Sequence, residues 1–355
     1  MSDVPAPRQW RAEGAAAAAH RPAALFALSE VGPFAAQVSS AAGLPLAALE
    51  ERRFEGGEFK LRPLESVRDR TVFVLASLAS TPEAPVTDRL VRLLFLLSVL
   101  RDAGASGLIT LLPYLAFARK ERRTQPRDPV NTRYLAQLLE AAGADRIVAL
   151  DVHSPAALDN AFRIPTDHLS ALPMMVDHFA TRLPAGPVTL LSPDVGGVKR
   201  VQILRELMEA RTGREVELAF LEKRRARGVV SGGVLVGDVH GREVIVLDDL
   251  CATGGTLIRA ADACRRAGAE RVHVAVTHAP IASGLEAVHS AETVASVLVT
   301  DSAGIRMPER AAPGTPGGKL SVLPVAPLFG QAIRRMLDGR PLAPLLTRWP
   351  LAPEE

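Results

Sequence analysis

The chain has 355 residues, of which 48% are hydrophobic and 23% are charged, and its formal net charge is +3. This length accommodates two domains with separate cores, while so small a net charge gives no basic surface of the kind that binds nucleic acid. The longest apolar run, Leu93 to Leu100, is too short to cross a bilayer, and the N-terminus lacks the order of a signal peptide. We therefore expect a cytoplasmic protein with neither a nucleic-acid nor a membrane partner.

Strand and helix patterns alternate along the chain after a Pro- and Ala-rich stretch, residues 1–20, that predicts a disordered extension. Apolar runs rich in β-branched residues predict strands at Ala24–Ala27, Thr71–Ala76, Gly107–Leu112, Arg146–Asp151, Val188–Ser192, Glu217–Glu222, Glu243–Asp248, Arg271–Thr277 and Ser296–Thr300. Helical periodicity predicts helices at Asp88–Ala103, Thr132–Ala142, Val198–Glu209, Leu257–Ala267 and Leu328–Leu337. The alternation predicts an α/β fold with two related halves, each built on a mainly parallel sheet flanked by helices.

The most specific motif lies between the predicted strand that ends at Asp248 and the helix that begins at Leu257. It reads Asp248-Asp249-Leu250-Cys251-Ala252-Thr253-Gly254-Gly255-Thr256. A loop at the carboxyl end of a parallel strand that opens a helix attracts phosphate through free N–H groups and the helix dipole. Its glycines allow close approach to an anion, and its aspartates are suited to accept hydrogen bonds from ribose hydroxyls.

This loop resembles the 5-phosphoribosyl loop of the phosphoribosyltransferase superfamily. A structural turn with a chance acidic pair is the alternative, but two aspartates at a strand end before Thr-Gly-Gly-Thr are too particular for it. The loop alone does not distinguish enzymes that make a phosphoribosyl donor from enzymes that consume one.

Further motifs lie at other predicted strand ends. Ser192 to Arg200 repeats the strand–glycine–helix pattern and carries Asp194, and its glycines suit a diphosphate or its metal. The triplet Lys223-Arg224-Arg225 precedes a glycine-containing segment that is predicted to be flexible. Basic side chains placed there could neutralise the charge of a bound polyphosphate. By itself the triplet is weak evidence, because most basic triplets on a surface are only solvated. His153 lies just past the end of a predicted strand, where a lone histidine is usually a partner in a structural hydrogen bond. The Arg-rich segment Arg119 to Arg127 and the segment Arg53 to Glu58 complete the set.

In this order and at these spacings, the motifs resemble the ribose-phosphate diphosphokinases, also called phosphoribosyl pyrophosphate (PRPP) synthetases, from about Ala24 to Leu346. The resemblance implies two phosphoribosyltransferase-like domains, residues 21–170 and 171–325, with a helix at 326–340 packing back on the first domain and a tail at 341–355. It implies transfer of the β,γ-diphosphoryl group of Mg-ATP to the C1 hydroxyl of ribose 5-phosphate, which gives PRPP and AMP. It also implies a homo-oligomer built from dimers, commonly a hexamer.

The same resemblance implies the roles of individual residues. The catalytic cations are Lys223 and Arg225, with Arg224 beside them. Ribose 5-phosphate is held by Asp248, Asp249, Ala252, Thr253, Gly254, Gly255 and Thr256. ATP is held by Phe54, Gly56, Gly57, Glu58, Arg119, Lys120, Glu121 and His153, of which the first four reach the adenine of a neighbouring subunit. The magnesium of the nucleotide is held by His153 and Asp194. No general base is assigned.

The chain departs from the family pattern in its nucleotide loops. The common Arg-Gln-Asp triplet is Arg119-Lys120-Glu121 here, and the usual Asp-Gly-Glu of the adenine loop is Gly56-Gly57-Glu58. Both changes fall on nucleotide recognition, so the preferred nucleotide stays open. Ala252 replaces a commoner Ser or Asp at a position that acts through its backbone amide.

Three alternatives stay open at this stage. A phosphoribosyltransferase that consumes PRPP fits the phosphate loop equally well, but the chain length, the paired halves and the other motifs argue against it. A catalytically silent, regulatory subunit fits the altered nucleotide loops, but the intact Lys223, Arg225, His153 and Asp194 argue against it. The third alternative is a diphosphokinase that acts on a different sugar phosphate or nucleotide.

Overall fold

A computed structural model describes residues 23–81, 84–226, 229–304 and 318–347, of which 223–226 and 229–233 are described by their backbone only. In chain order, the strands of these residues are β1 (Ala23–Ala27), β2 (Leu49–Arg53), β3 (Phe59–Pro63), β4 (Thr71–Leu75), β5 (Gly107–Leu112), β6 (Arg146–Leu150), β7 (Thr166–Leu169), β8 (Val188–Ser192), β9 (Val216–Ala226), β10 (Val229–Val236), β11 (Glu243–Leu250), β12 (Arg271–His278), β13 (Ser296–Thr300) and β14 (Leu320–Leu323). The α-helices are α1 (Gly32–Ala42), α2 (Val86–Asp102), α3 (Asn131–Ala141), α4 (Pro155–Ala161), α5 (Leu172–Ala180), α6 (Val198–Thr212), α7 (Gly255–Arg266), α8 (Ala282–Ser290) and α9 (Ala326–Leu337).

Two separate sheets organise the chain. The first is entirely parallel, in the order β1–β4–β5–β6–β7. The second has the order β10–β9–β8–β11–β12–β13–β14 and is parallel except for its edge strand β10, which pairs antiparallel with β9. Strands β2 and β3 form a small antiparallel hairpin. The expected α/β fold with two mainly parallel sheets is confirmed.

The central strands are buried on both faces, which explains their near-continuous apolar sequences. In β4, Val72 and Val74 pack into a core on one face of the first sheet, while Phe73 and Leu75 face a second core. That second core also contains residues of the second sheet and of helices α1, α5, α6 and α9, so it joins the two halves of the chain. A third core covers the other face of the second sheet.

Helix α9 follows the second sheet in sequence but packs against α1 of the first half. A Cβ built on Gly330 would lie 2.4 Å from the Cβ of Ala41, so the two helices approach more closely than any larger residue permits. Within the described residues, no helix is both long enough and apolar enough to cross a membrane.

The predicted elements are present, but others were missed. Strands β2, β3, β7, β10 and β14 and helices α1, α4, α5 and α8 were not predicted. Strand β2 reads Leu-Glu-Glu-Arg-Arg and stays partly exposed, so it lacks the apolar alternation that marks a strand. The segment after the Lys-Arg-Arg triplet, expected to be flexible, contains β10. The predicted extension at residues 1–20 lies outside the described residues.

Candidate active site

The phosphate-loop motif occupies the expected turn between β11 and α7. Gly254 has a φ of +76°, which favours glycine, and a Cβ there would lie 2.6 Å from the carbonyl oxygen of Gly284 on α8. A Cβ on Gly284 would lie 1.9 Å from the carbonyl oxygen of Ala252. Because Gly254 and Gly284 lack side chains, the backbone of the loop packs directly against the backbone of α8. This contact sets the position of the loop.

A cavity of about 300 Å³ opens at the carboxyl ends of β8 and β11, beside this loop. Its lining residues are Arg119, His153, Asp194, Gly196, Gly197, Arg200, Asp248, Asp249, Leu250, Cys251, Ala252, Thr253, Gly254, Thr256 and Leu257. The structure thus brings together all the residues expected around ribose 5-phosphate except Gly255, which begins α7. It also brings together the two expected magnesium ligands.

Asp249 lies at the centre of the polar groups in this cavity. Its Oδ2 lies 2.9 Å from Nδ1 of His153, and its Oδ1 accepts a hydrogen bond of 2.9 Å from Nη1 of Arg200. Burial opposes ionisation of Asp249, but the bond from His153 and the charge of Arg200 outweigh it and lower the pKa of this carboxyl. Burial and the neighbouring Asp249 raise the pKa of Asp248. Of the two adjacent carboxyls, Asp249 is therefore the one that ionises more readily.

The segment that carries His153 is held in an unusual backbone conformation. Asp151 has a φ of +36°, a left-handed value that is costly for a residue with a Cβ. Its buried carboxylate accepts hydrogen bonds from the hydroxyl of Ser170 (2.8 Å), the amide of Ala171 (3.0 Å) and the hydroxyl of Thr277 (2.8 Å). Because Thr277 belongs to the second sheet, this network ties the His153 segment to the other half of the chain.

A second cavity, of about 260 Å³, adjoins the first. Its lining residues are Tyr114, Leu115, Phe117, Ala118, Arg119, Lys120, Asn131, Leu150, Asp151, Val152, His153, Asp249, Leu250 and His278. Arg119, His153, Asp249 and Leu250 line both cavities, so they form the wall between them. Two of the residues expected to contact ATP from the Arg-rich loop, Arg119 and Lys120, thus line the second cavity, whereas Glu121 lines neither.

The other expected nucleotide residues lie elsewhere. Phe54, Gly56, Gly57 and Glu58 form the turn of the β2–β3 hairpin and line neither cavity. Phe54 is 43% exposed, and the Arg52 guanidinium lies 5.1 Å from the centroid of its ring. The hairpin therefore contributes no residue to either cavity.

The expected catalytic cations lie on β9, and their side chains are outside the described residues. The backbone of Lys223 pairs with Gly233, and that of Arg225 pairs with Val230. Strand β9 runs parallel to β8, whose last residue, Ser192, pairs with Phe220. The Lys223 to Arg225 segment therefore continues past the end of β8, at the same edge of the sheet as the phosphate loop.

Comparison with known proteins agrees with this arrangement. Residues 23–143 match the N-terminal domain of ribose phosphate pyrophosphokinase, and residues 173–308 match the phosphoribosyl transferase domain. Ribose-phosphate pyrophosphokinase 1 of Streptococcus agalactiae is 34% identical over 327 residues, which cover 90% of this chain and 96% of that protein. The chain belongs to the ribose-phosphate pyrophosphokinase family.

Two further relatives agree with the assignment to this family. The ribose-phosphate pyrophosphokinase of Fusobacterium nucleatum is 34% identical over 313 residues, 88% of this chain and 94% of that protein. The crystal structure of phosphoribosylpyrophosphate synthetase from Mycobacterium smegmatis superimposes with a TM-score of 0.79 at 29% identity, covering 90% of this chain and all of that one. The arrangement of both halves is therefore similar to that in the Mycobacterium smegmatis structure.

The donor set of the cavity is compatible with magnesium. Among the described residues, no group of three or more His, Cys, Asp or Glu side chains is placed to hold a metal ion by itself. Mg²⁺ does not need one, because it keeps several waters and is usually bound through one or two carboxylates and the phosphates of the substrate. Asp194 supplies a carboxylate at the cavity wall, and the imidazole of His153 lies at the same wall.

Three residues near the site had no role in the sequence-based prediction. Arg200 lies in a motif that was recognised, yet its contact with Asp249 depends on the fold. His278 hydrogen-bonds the carbonyl oxygen of Leu150 at 3.1 Å and borders the second cavity. Gly284 lies in an unpredicted helix and has no sequence signal of its own. Burial raises the pKa of the Cys251 thiol, inside the loop, to about 11, so this thiol is a poor nucleophile.

Proposed function

We propose that this chain transfers the β,γ-diphosphoryl group of Mg-ATP to the C1 hydroxyl of ribose 5-phosphate, giving PRPP and AMP. The observation that carries the proposal is the shared wall of the two cavities. One cavity contains the phosphoribosyl loop, and the other contains Arg119 and Lys120 of the nucleotide loop. Two substrates bound in adjoining cavities meet at Arg119, His153 and Asp249, as an in-line transfer requires.

The first cavity is suited to ribose 5-phosphate. The loop offers backbone N–H groups, two hydroxyls and the positive end of the α7 dipole to the 5-phosphate. The two aspartates at the end of β11 accept hydrogen bonds from the ribose hydroxyls. Asp249 already contacts His153 and Arg200, but a carboxylate has about four acceptor positions and so retains capacity for the sugar.

Lys223 and Arg225 are the proposed catalytic cations. Transfer of a diphosphoryl group requires little covalent chemistry from the protein, but it requires fixed positive charge where negative charge accumulates on the phosphoryl oxygens. The parallel course of β8 and β9 supports this role, because the Lys223 to Arg225 backbone continues past the edge where Asp194 and the phosphate loop lie. Magnesium, held through Asp194 and His153 and by the nucleotide phosphates, supplies further neutralisation when bound.

The organisation of the working enzyme is also a proposal. We propose domains at residues 21–170 and 171–325, and a homo-oligomer in which the exposed Phe54 to Glu58 turn reaches the nucleotide pocket of a neighbouring subunit. The position of that turn outside both cavities of its own subunit supports a role in trans. A cytoplasmic location agrees with two buried, free cysteines, Cys251 and Cys264.

The first test is ³¹P NMR of the purified protein with ribose 5-phosphate, Mg²⁺ and a panel of nucleoside triphosphates. Formation of PRPP with a nucleoside monophosphate would support the reaction and identify the preferred nucleotide. Silence across the panel, from folded protein, would refute it and favour a regulatory subunit. Release of pyrophosphate from PRPP that depends on a nucleobase would favour a phosphoribosyltransferase instead.

The second test addresses the catalytic cations. Lys223→Ala should lower kcat by roughly 10²- to 10³-fold, the loss typical of one removed electrostatic stabiliser, with little change in the affinity for ribose 5-phosphate. Lys319→Ala, which removes a lysine bonded to the carbonyl oxygen of Ala291 away from both cavities, is the control and should keep wild-type kcat. Near-wild-type turnover of Lys223→Ala would remove Lys223 from the mechanism.

A further inference from the structure

The Arg-rich loop between Phe117 and Asp128 is held together by hydrogen bonds to one side chain, the carboxylate of Asp128. A single carboxylate oxygen of Asp128, Oδ2, accepts hydrogen bonds from Nζ of Lys120 (2.6 Å), the hydroxyl of Thr124 (2.6 Å) and the amides of Thr124 (2.9 Å) and Gln125 (3.0 Å). Nζ of Lys120 also donates to the Thr124 hydroxyl at 3.1 Å. The ammonium of Lys120 is therefore directed to its own loop.

The network stabilises a loop whose backbone is otherwise unfavourable. Phe117 and Arg127, at the two ends of the loop, have φ values of +62° and +68°, which are costly for residues with a Cβ. The Thr132 hydroxyl lies 3.2 Å from the carbonyl oxygen of Phe117 at the start of the loop. Near the other end, the hydrogen bonds to Asp128, first of all that from Lys120, hold the pKa of its carboxyl well below its usual range. The hydrogen bonds of the loop thus favour the ionised form of Asp128.

We propose that Lys120 and Asp128 are positioning residues: their pairing orders the loop before the nucleotide arrives and holds Arg119 at the wall between the two cavities. Arg119 precedes Lys120 directly and lines both cavities. A salt bridge between partly exposed side chains contributes little stability by itself, but this one shares its carboxylate oxygen with two backbone amides. The pair therefore acts on the conformation of the loop, and it lowers the cost of ordering the loop around ATP. This inference rests on the proposed function, and it assigns to Lys120 and Asp128 an effect on the enzyme's affinity for ATP.

A double-mutant cycle tests the proposal. Lys120→Gln and Asp128→Ala should each raise the KM for Mg-ATP roughly tenfold, the effect of one lost net hydrogen bond or ion pair on binding, with kcat within about twofold of the wild-type value. Because Asp128→Ala already removes the bond from Lys120, the double variant should be no worse than Asp128→Ala alone. Lys120→Arg, which keeps the charge and the donors, should retain most of the affinity.

A matched control separates the loop from a general effect of losing a surface ion pair. Asp177 has the same exposed side-chain fraction as Asp128, 23%, and pairs with Arg211 at 2.8 Å on helices α5 and α6. Asp177→Ala should leave the KM for Mg-ATP unchanged. If Lys120 instead binds the nucleotide directly, the Lys120→Gln effect will persist in the Asp128→Ala background and Asp128→Ala alone will not raise the KM; that outcome overturns the proposal.

Hydrogen exchange gives a readout that does not depend on turnover. In the nucleotide-free enzyme, Asp128→Ala and Lys120→Gln should both speed exchange of the Thr124 and Gln125 amides, which donate to Asp128. Unchanged exchange would overturn the proposal even if the enzyme is active. Faster exchange in an enzyme that makes no PRPP would support the ordered loop and contradict the proposed reaction, so the two failures are distinguishable.

Discussion

Replacement of Gly284 by alanine is the sharpest perturbation that the structure suggests. The added Cβ would lie 1.9 Å from the carbonyl oxygen of Ala252 and 2.7 Å from its carbonyl carbon, whereas ordinary contact begins at 3.4 Å. The oxygen and the methyl group must therefore separate by about 1.5 Å. Both partners are backbone, one in α8 and one in the phosphate loop, so no flexible side chain absorbs the movement.

The loop is expected to move because it is the less constrained partner. Helix α8 is anchored in the core by Leu285 and Val288, both buried. A displacement of about 1 Å of a group that positions substrate costs on the order of 10²-fold in rate, and overpacking of this kind costs about 1–3 kcal/mol of stability. Gly284→Ala should therefore lower kcat/KM for ribose 5-phosphate roughly 100-fold while the protein still folds.

Steady-state kinetics with varied ribose 5-phosphate, together with thermal unfolding, measures both effects. The control is Gly32→Ala at the start of α1, where φ is −46° and no atom lies within 4 Å of the added Cβ; it should be neutral in both assays. Wild-type kcat/KM in Gly284→Ala would refute the argument that backbone contact with α8 sets the position of the loop.

Three further predictions concern polar side chains in the second half of the chain. Arg200→Met breaks the ion pair with Asp249, in which the Arg200 side chain is 14% exposed and the Asp249 side chain 8% exposed. It should lower the free energy of unfolding, measured in urea, by about 2–4 kcal/mol. An unchanged midpoint would contradict this, and Arg200→Lys should recover part of the loss. Thr277→Val removes the buried donor to Asp151 and should cost about 1–2 kcal/mol, measured the same way. Burial raises the pKa of Asp301 from 3.8 in the unfolded chain to about 6 in the folded protein. The neutral side chain therefore contributes its full stability below pH 3.8, and this contribution is lost as the pH rises through about 6. Asp301→Asn should therefore gain about 2–3 kcal/mol over the wild type at pH 8 and little at pH 4, and an equal difference at both pH values would show that Asp301 is not the titrating group.

The local features of this protein followed from its sequence. Strand β11 and helix α7 were evident because a β-branched run and a helical period are visible within a short window. The glycine and threonine loop between them was evident because its chemistry depends on neighbours in sequence. The family likewise followed from several motifs in one order. Elements with weak local signals, such as the charged hairpin β2–β3, were missed because tertiary packing determines them.

The tertiary structure alone decided which groups meet. His153 and Asp249 are 96 positions apart, and only the docking of the two halves brings their side chains within 2.9 Å. The contact of Gly284 with Ala252 depends on where α8 lies, and no periodicity encodes it. The bond from Lys120 to Asp128 likewise has no signal in the sequence, since the direction of a long, flexible side chain depends on the partners that the fold places within its reach.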